Sequence, residues 1–522
     1  MIMDADDEME PLKRREIDVM LAETGADALF FETISYVGDS PGLDVLKNMN
    51  LRFMKNHMGY FFSGPIHEQI YFPILAANPA ARMVNCDLKV YHYGYLTKNI
   101  AESNKRARNI ALLEKELEAR PDYNFAIFNL GSEYYAMKDN VKAIGYFEKA
   151  YEKFDPREGY SSHLLLKMVV CYLLLGRMDN AIRMADIGLG HYPEYTDLMF
   201  MKGNAYVAAG KNTLALKAFQ KCTEMGEAPN HLNVVVGAGT FRPWFIMGNL
   251  YFDWEDYEAA ANCYRQAFVL NTEHKAALYL LVKAWCRLKP EPSALEEQIE
   301  TMREFMPPSY DSIVFEQLIQ EKYYGLTLSY IDRYERSEGV CAYSRYFRGL
   351  ARLYKRDYAG AIAMLEGTAG SEKYGLRAFY LGALCRIFIG DYAEAKARLE
   401  GTMRGESNDS ASRVCLLLLR LLEGGAPETL GDDEAGPAVH TPFIFEVLRI
   451  LLITRQPEAF EKALGLLNAV SDKTVLLRLA KLYYEEGYFG LAYRELMRSV
   501  QVFSHLDEQG AKMLYTLKLR GF

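Results

Sequence analysis

The sequence predicts a mainly α protein, in which a long helical solenoid follows a short α/β region. Three observations predict this fold class. A fixed spacing of small and large residues recurs from about residue 121 onward, which is typical of repeated helix pairs. The first 98 residues instead carry apolar and β-branched runs separated by glycine and proline, which is typical of strands. Half of the 522 residues are hydrophobic and a quarter are charged, as in folded globular chains.

Residues 1–98 form the first predicted segment and contain several short strands. Residues 26–36 are rich in apolar, aromatic and β-branched side chains, and a glycine-rich turn follows them. Residues 51–55 and 60–62 flank a polar turn and are predicted to pair as a hairpin, and residues 89–93 form a further strand. Since so few strands cannot cover both faces of a sheet, we expect a truncated α/β half-domain here.

Residues 99–120 are predicted to form a connecting helix. Its first part, from Lys98 to Arg108, is basic, and Ser103 is a plausible N-cap. This helix leads directly into the repeats.

The repeats are best defined over residues 121–272. A glycine is followed by a tyrosine three residues later, by an alanine twelve residues later and by an aromatic residue sixteen residues later. Small residues allow two helices to approach closely and the large residues fill the adjoining space, so each copy predicts an antiparallel helix pair. The copies are Gly131, Tyr134, Ala143 and Phe147; Gly203, Tyr206, Ala215 and Phe219; and Gly248, Tyr251, Ala260 and Tyr264.

The remainder of the chain carries looser copies of the same pattern. We expect degenerate repeats over residues 273–424, a loop at residues 425–441, which are rich in glycine, proline and aspartate, and further helix pairs over residues 442–522. Helix pairs should turn near residues 138–140, 210–212, 254–256 and 355–357.

This pattern resembles the tetratricopeptide repeat, whose period is 34 residues. The resemblance implies a concave groove that binds a protein or a peptide. The glycines, alanines and tyrosines of the repeats specify packing and carry no chemistry.

Composition excludes several classes of protein. A net charge of −9 argues against nucleic acid as a partner, because phosphate contacts need a basic face. No apolar run approaches the roughly 18 residues that a membrane span requires, so we expect none. The eight cysteines are scattered without a C-x-x-C pair, which indicates reduced thiols in a cytoplasmic protein.

Residues that could carry chemistry lie before residue 110. Asp4 and Asp6 alternate at a strand end, so their carboxylates point the same way and suit a hard cation such as Mg²⁺ or Mn²⁺. Acidic runs are also commonly solvated surface, and we interpret Asp7 and Glu8 in that way. His92 is either a ligand or a packed, hydrogen-bonded histidine.

The order of these features resembles the second half of a family 2 glycosyltransferase of the GT-A type. Asp4 and Asp6 match its Asp-x-Asp motif, residues 66–69 match an Ile-His-Glu-Gln motif, and His92 lies in a segment rich in tyrosine and glycine. A basic helix and then repeats follow, as in a bacterial subgroup. The resemblance covers residues 1 to about 120 and, through the domain order, the repeats.

The resemblance implies a site and its ligands. Asp4, Asp6 and His92 would hold a divalent metal, Mn²⁺ or Mg²⁺, that bridges the diphosphate of a nucleotide-sugar donor, with His92 either a ligand or a diphosphate contact. Glu68 would be the base that activates the acceptor. The diphosphate would be enclosed by Lys105, Arg106 and Arg108, although an exposed basic helix start is more often simply solvated.

One departure from the family leaves two functions open. Such a domain begins with a βαβ unit that binds the nucleotide, whereas this sequence begins at the metal motif. We therefore expect a chain that lacks the nucleotide-binding half and does not bind a nucleotide-sugar alone. The alternatives are a sugar transferase of unknown acceptor, with repeats that present a partner, and a non-catalytic repeat scaffold.

Overall fold

The computed structural model describes residues 1–9, 18–19, 22–36, 45–62, 70–94, 96, 105–403, 410–430 and 439–522. The chain divides into two compact units, Met1–Leu288 and Lys289–Phe522. The first unit holds a small sheet and a set of helix pairs, and the second unit is built from helices.

The sheet of the first unit is mixed and has four strands in the order β1-β4-β2-β3. The strands are β1 (Asp7–Met9), β2 (Ala28–Tyr36), β3 (Val45–Met54) and β4 (Met83–His92), and helix α1 (Tyr71–Ala77) precedes β4. β1 and β4 are antiparallel, β4 and β2 are parallel, and β2 and β3 are antiparallel. Leu29, Phe31 and Val90 are buried in one apolar cluster of this region, and Ala28 packs with Ile70 and Ile74 in another.

The predicted hairpin of residues 51–55 and 60–62 is wrong. Residues 51–54 belong to β3, but β3 pairs along its length with β2, and residues 60–62 lie outside any strand. β2 offers nine consecutive residues as a partner, whereas residues 60–62 offer three. The motif of residues 66–69, with Glu68, lies outside the described residues.

The helices of the first unit follow one another as antiparallel pairs. The helix that leads into the repeats is α2 (Lys105–Ala119), and it packs on the first repeat through Leu113, Ala126 and Leu130. The repeat helices are α3 (Asn124–Ala136), α4 (Asn140–Tyr151), α5 (Ser161–Leu174), α6 (Met178–His191), α7 (Thr196–Ala208), α8 (Asn212–Met225), α9 (Phe241–Asp253), α10 (Tyr257–Leu270) and α11 (Lys275–Arg287).

The recurrent spacing specifies how each helix pair packs. A Cβ atom at Gly131 would lie 2.6 Å from the ring of Phe147, which is buried at the facing position of the second helix. The same 2.6 Å approach joins Gly203 to Phe219 and Gly248 to Tyr264. Because real Cβ atoms do not approach this closely, glycine permits the aromatic ring to lie against the backbone of the first helix.

The turns between paired helices lie where the sequence predicted them. α3 ends at Ala136 and α4 begins at Asn140, and the other three predicted turns lie at the corresponding breaks. Asp139 ends the first turn as the N-cap of α4, since its side chain accepts a hydrogen bond from the backbone N–H of Lys142. An aspartate at this position stabilises the start of the second helix.

The regular elements of the second unit are all helices in its described residues. Its helices are α12 (Pro292–Glu300), α13 (Asp311–Gln320), α14 (Tyr324–Glu338), α15 (Ala342–Tyr354), α16 (Tyr358–Glu366), α17 (Gly375–Phe388), α18 (Tyr392–Met403), α19 (Ser410–Leu422), α20 (Thr441–Ile453), α21 (Pro457–Ala463), α22 (Val475–Glu485), α23 (Phe489–Phe503) and α24 (Glu508–Leu519). Short 3₁₀ helices occupy Arg303–Phe305, Pro308–Tyr310 and Leu464–Ala469. Residues 423–430 are not helical, and residues 431–438 of the predicted loop lie outside the described part.

Two expectations from composition concern the cysteines and membrane-spanning helices. All eight cysteines are free thiols, and six of them are buried. Among the described helices, none has both the length and the apolar character needed to cross a lipid bilayer.

Candidate metal site on the N-terminal sheet

Strand pairing places Asp7 directly opposite His92. The two residues are partners in the antiparallel ladder of β1 and β4, so their side chains lie side by side on one face of the sheet. Asp7 Oδ1 lies 3.0 Å from His92 Nδ1. The side chain of Asp7 is 0% exposed and that of His92 is 14% exposed. This carboxylate and this imidazole therefore form a buried pair at the end of β4.

Arg52 is the cation that accompanies these acidic groups. Its Nη1 atom lies 2.9 Å from Asp7 Oδ2 and 3.4 Å from Asp4 Oδ2. The Arg52 side chain is 8% exposed, whereas that of Asp4 is 63% exposed. Ile2 donates its backbone N–H to the carbonyl oxygen of Arg52 at 2.7 Å. The first residues of the chain are thus fixed against β3 by one backbone bond and two ion pairs.

Asp6 lies on the more open side of His92. Its Oδ1 atom is 3.6 Å from His92 Nδ1, and its side chain is 41% exposed. Gly94 borders the same space, since a Cβ atom there would collide with Asp6 Oδ2 and would lie 2.6 Å from His92 Nε2. Glycine at residue 94 therefore allows the backbone to pack closely against the Asp6 carboxylate and the imidazole.

These donors suit a divalent ion. Asp4, Asp7 and His92 each offer one ligand atom, and the three atoms lie within 4.8 Å of one another. Carboxylate oxygens are the ligands that Mg²⁺ and Mn²⁺ prefer, and imidazole also binds Mn²⁺. The Arg52 guanidinium already balances charge on Asp4 and Asp7. We conclude that the donor set of Asp4, Asp7 and His92 fits such an ion.

Part of this cluster is predicted by the sequence. The structure brings its three proposed ligands, Asp4, Asp6 and His92, to one end of the sheet. The interpretation of Asp7 as solvated is wrong, because Asp7 is the most buried carboxylate of the cluster. The sequence does indicate that Asp7 faces inward, since Asp7 and Met9 lie two residues apart in a strand and so share a face. The side chain of Met9 packs against the apolar cluster around Val90. Arg52 was also missed, although an arginine between Leu51 and Phe53 in a strand indicates a buried charge with a partner.

The predicted basic residues lie on α2. Arg106 Nη1 lies 3.3 Å from Glu133 Oε2 on α3, and Asn109 donates to the other oxygen of Glu133 at 2.8 Å. Arg108 is exposed, and the side chain of Lys105 lies outside the described part. Arg106 therefore joins the connecting helix to the first repeat.

The opposite face of the sheet carries tyrosines. Glu8 and Tyr91 are partners in the ladder of β1 and β4, and Tyr36 stacks on Tyr91 with ring centroids 6.2 Å apart. Tyr93 donates its hydroxyl to Glu8 Oε2 at 2.7 Å, and this bond raises the pKa of Tyr93 to about 12. Glu8 thus points away from the face that holds Asp7 and His92.

Comparison with known proteins identifies the repeats and a partial relative. The tetratricopeptide repeat model matches residues 196–227 and 241–274, so the chain carries tetratricopeptide repeats. Over 159 residues the chain is 28% identical to the SPbeta prophage-derived glycosyltransferase SunS of Bacillus subtilis (strain 168) and to the glycosyltransferase SunS of Bacillus phage SPbeta. The match covers 29% of this chain and 36% of each relative. The chain thus spans about a third of the length of the curated relatives it matches.

Solved structures also resemble the chain in part. The structure of yeast Tom70 is 14% identical and aligns with 77% of this chain and 97% of its own, with a TM-score of 0.28. The P58(IPK) TPR domain is 13% identical and aligns with 76% of this chain and 97% of its own, with a TM-score of 0.18. What the comparisons establish is the presence of tetratricopeptide repeats and a partial similarity to a glycosyltransferase.

Proposed function

We propose that the sheet of this chain is the metal-binding part of a glycosyltransferase of the GT-A type, family 2, and that the repeats bind a protein partner or acceptor. The observation that carries the proposal is the convergence of Asp4, Asp6, Asp7 and His92 at one end of the sheet. The partial similarity to a glycosyltransferase supports it.

In this proposal the carboxylates and His92 would hold a divalent ion. When bound, such an ion would supply positive charge that stabilises a leaving nucleoside diphosphate. Asp6, whose side chain is 41% exposed, is open to a ligand, while Arg52 pairs with Asp7. Glu68 is the proposed base for the acceptor hydroxyl or thiol. Arg108 is available for a diphosphate, whereas Arg106 would first have to leave Glu133.

A titration with Mn²⁺, followed by electron paramagnetic resonance of the free ion, tests this proposal on the full chain. We expect one Mn²⁺ to bind, with affinity lost in Asp6→Asn. Absence of Mn²⁺ binding, or equal affinity in Asp6→Asn, would overturn the transferase proposal.

A second function is favoured by the repeats, which support a role in protein interaction. In that case the chain is a scaffold, and the charges of Asp4 and Asp7 serve only to pair with Arg52. The same titration separates the two functions, because a scaffold of this kind has no specific Mn²⁺ site.

A further inference from the structure

We propose that Lys167 and Ser132 form an anion subsite on the inner face of the first repeats, and that this subsite binds an acidic side chain of the protein partner. This inference rests on the proposed role of the repeats in binding a protein. It adds the chemistry of that partner, which is a segment with an acidic residue close to an apolar one.

The first step concerns where these two residues lie. Ser132 is on α3 and Lys167 is on α5, and these are the first helices of successive pairs. The first helices α3, α5 and α7 contact one another, so together they form one layer of the array. Lys167 Nζ donates to Ser132 Oγ at 2.7 Å across this layer, and both residues are partly exposed. They therefore lie on the surface that stacked repeats present to a partner.

The second step concerns the charge of Lys167. Its ammonium has three N–H donors, of which Ser132 accepts one. No carboxylate pairs with this ammonium within the part of the chain that the structure describes. Glu133, beside Ser132, already pairs with Arg106 at 3.3 Å. The ring of Phe128, whose centroid is 5.0 Å from Nζ, attracts the cation but carries no net charge. Lys167 therefore offers a positive charge to a ligand.

The third step concerns burial. Burial lowers the pKa of Lys167 to about 8, so the amine is still mainly protonated at neutral pH. His163, one turn earlier on α5, has its pKa lowered to about 4 by burial and is neutral under the same conditions. A positive charge that is partly removed from water without a counter-ion is unfavourable, and a carboxylate offsets this cost. One carboxylate matches the single charge of Lys167, whereas a phosphate dianion would leave excess negative charge.

The fourth step concerns the residues that follow Lys167 on the same side of α5. Val170 and Leu174 lie three and seven positions after it. Val170 is partly exposed and Leu174 is 59% exposed. Seven helical residues span about 10 Å, which is about the length of three residues in an extended segment. The partner segment should therefore carry an apolar residue about three positions from its acidic residue.

Peptide selection on the full chain tests the proposal. A library of random peptides displayed on phage is selected on the natural chain, on Lys167→Met and on Lys202→Met. Lys202, on α7, is the matched control, because its ammonium already pairs with Asp186 at 2.6 Å. We expect an acidic residue at a fixed position in peptides selected on the natural chain and on the control, but not on Lys167→Met. Fluorescence anisotropy of one selected peptide should show about tenfold or greater loss of affinity in Lys167→Met, and a similar loss when the acidic residue of the peptide is replaced by its amide.

The outcomes separate this inference from the proposed function. If peptides bind the natural chain but share no acidic position, or bind Lys167→Met equally well, only the anion subsite is overturned. If no peptide binds the natural chain, the anion subsite and the proposed role of the repeats in binding a protein are both overturned, whereas the metal site is tested separately by the Mn²⁺ titration. Replacing the acidic residue of the peptide leaves the protein unchanged, so it decides the matter even if Lys167→Met disturbs folding, which circular dichroism would reveal.

Discussion

Asp197, in the first turn of α7, is held by a loop that follows α8. Its Oδ1 atom accepts the backbone N–H groups of Val234, at 2.9 Å, and Val235. Its Oδ2 atom is buried without a partner, as is the side-chain oxygen of Asn233. Burial raises the pKa of Asp197 to about 7, although the two N–H bonds act in the opposite direction.

Replacing Asp197 with asparagine should change how stability depends on pH. Because the folded-state pKa is raised from 3.8 to about 7, ionisation costs stability as the pH rises through this interval, and the full cost is present above pH 7. We expect the natural chain to lose about 2 kcal/mol more than Asp197→Asn between pH 5 and pH 8. Urea unfolding at both pH values measures this difference.

Asp179→Asn is the matched control, since the side chain of Asp179 is 89% exposed and lies at the start of another helix of the array. Its unfolding should follow the natural chain at both pH values, because an exposed pair such as that of Asp179 with Lys211 contributes little to stability. If Asp197→Asn also followed the natural chain, the cost assigned to burial of Asp197 would be wrong.

For single residues, the sequence predicts which side chains could bind a ligand better than it predicts which side chains are buried and what they contact. Asp6 and His92 were proposed from their spacing and a family resemblance, but Asp7 and Asp197 owe their roles to partners far along the chain. Asp7 depends on the register of β1 with β4, and Asp197 depends on a loop inserted between the two matched repeats. No local pattern specifies either contact.

The helix pair is the element that the sequence predicts best. Its spacing is visible because one glycine must lie beneath one aromatic ring, as Gly203 lies beneath Phe219. The sheet is predicted less well, because β3 pairs with a strand that precedes it and not with the apolar residues that follow the nearest turn. Strand pairing depends on contacts between distant residues, which a local run of apolar residues does not reveal.

Alanine substitutions in two helices should have opposite effects. At Gly203 a Cβ atom would lie 2.6 Å from the Phe219 ring, so Gly203→Ala should destabilise the chain by about 1 to 2 kcal/mol. At Gly145, inside α4, a Cβ atom meets nothing within 4 Å, so Gly145→Ala should stabilise it by about 0.5 to 1 kcal/mol. Urea unfolding measures the free energy of unfolding of both variants. Changes of the same sign in the two variants would contradict this account.

The buried ion pair between Arg52 and Asp7 stabilises the sheet. Arg52→Met removes the cation and leaves Asp7 buried without its ion-pair partner. We expect a loss of about 3 to 5 kcal/mol, because an unpaired charge is costly in a buried position. Thermal unfolding followed by circular dichroism measures it.

Lys55→Met provides the comparison within the same sheet. Lys55 follows β3 and pairs with Asp27 at 2.6 Å, but its side chain is exposed. A surface pair of this kind contributes about 0 to 1 kcal/mol, so this variant should unfold close to the natural chain. Equal losses of stability in Lys55→Met and Arg52→Met would mean that burial of the Arg52 ion pair does not add to its effect on stability.

Across the whole molecule, the eight thiols report on how well each unit is packed. Six cysteines are buried within their units, and Cys86 and Cys341 are partly exposed. Burial raises the pKa of Cys171, Cys222 and Cys385 to about 12. Since the thiolate is the reactive form, these groups should be nearly inert at pH 8 while the chain is folded.

Alkylation with iodoacetamide at pH 8, mapped by mass spectrometry, should therefore modify only Cys86 and Cys341 in the folded protein. Cys341 should react faster, because it lies at the start of α15, whereas the Cys86 thiol donates to the carbonyl oxygen of Phe30 at 3.1 Å. In guanidinium chloride all eight should react at similar rates. Rapid labelling of Cys222 in the folded chain would show that α8 opens locally, and labelling of Cys385 would show the same for α17, so each unit is tested by its own thiol.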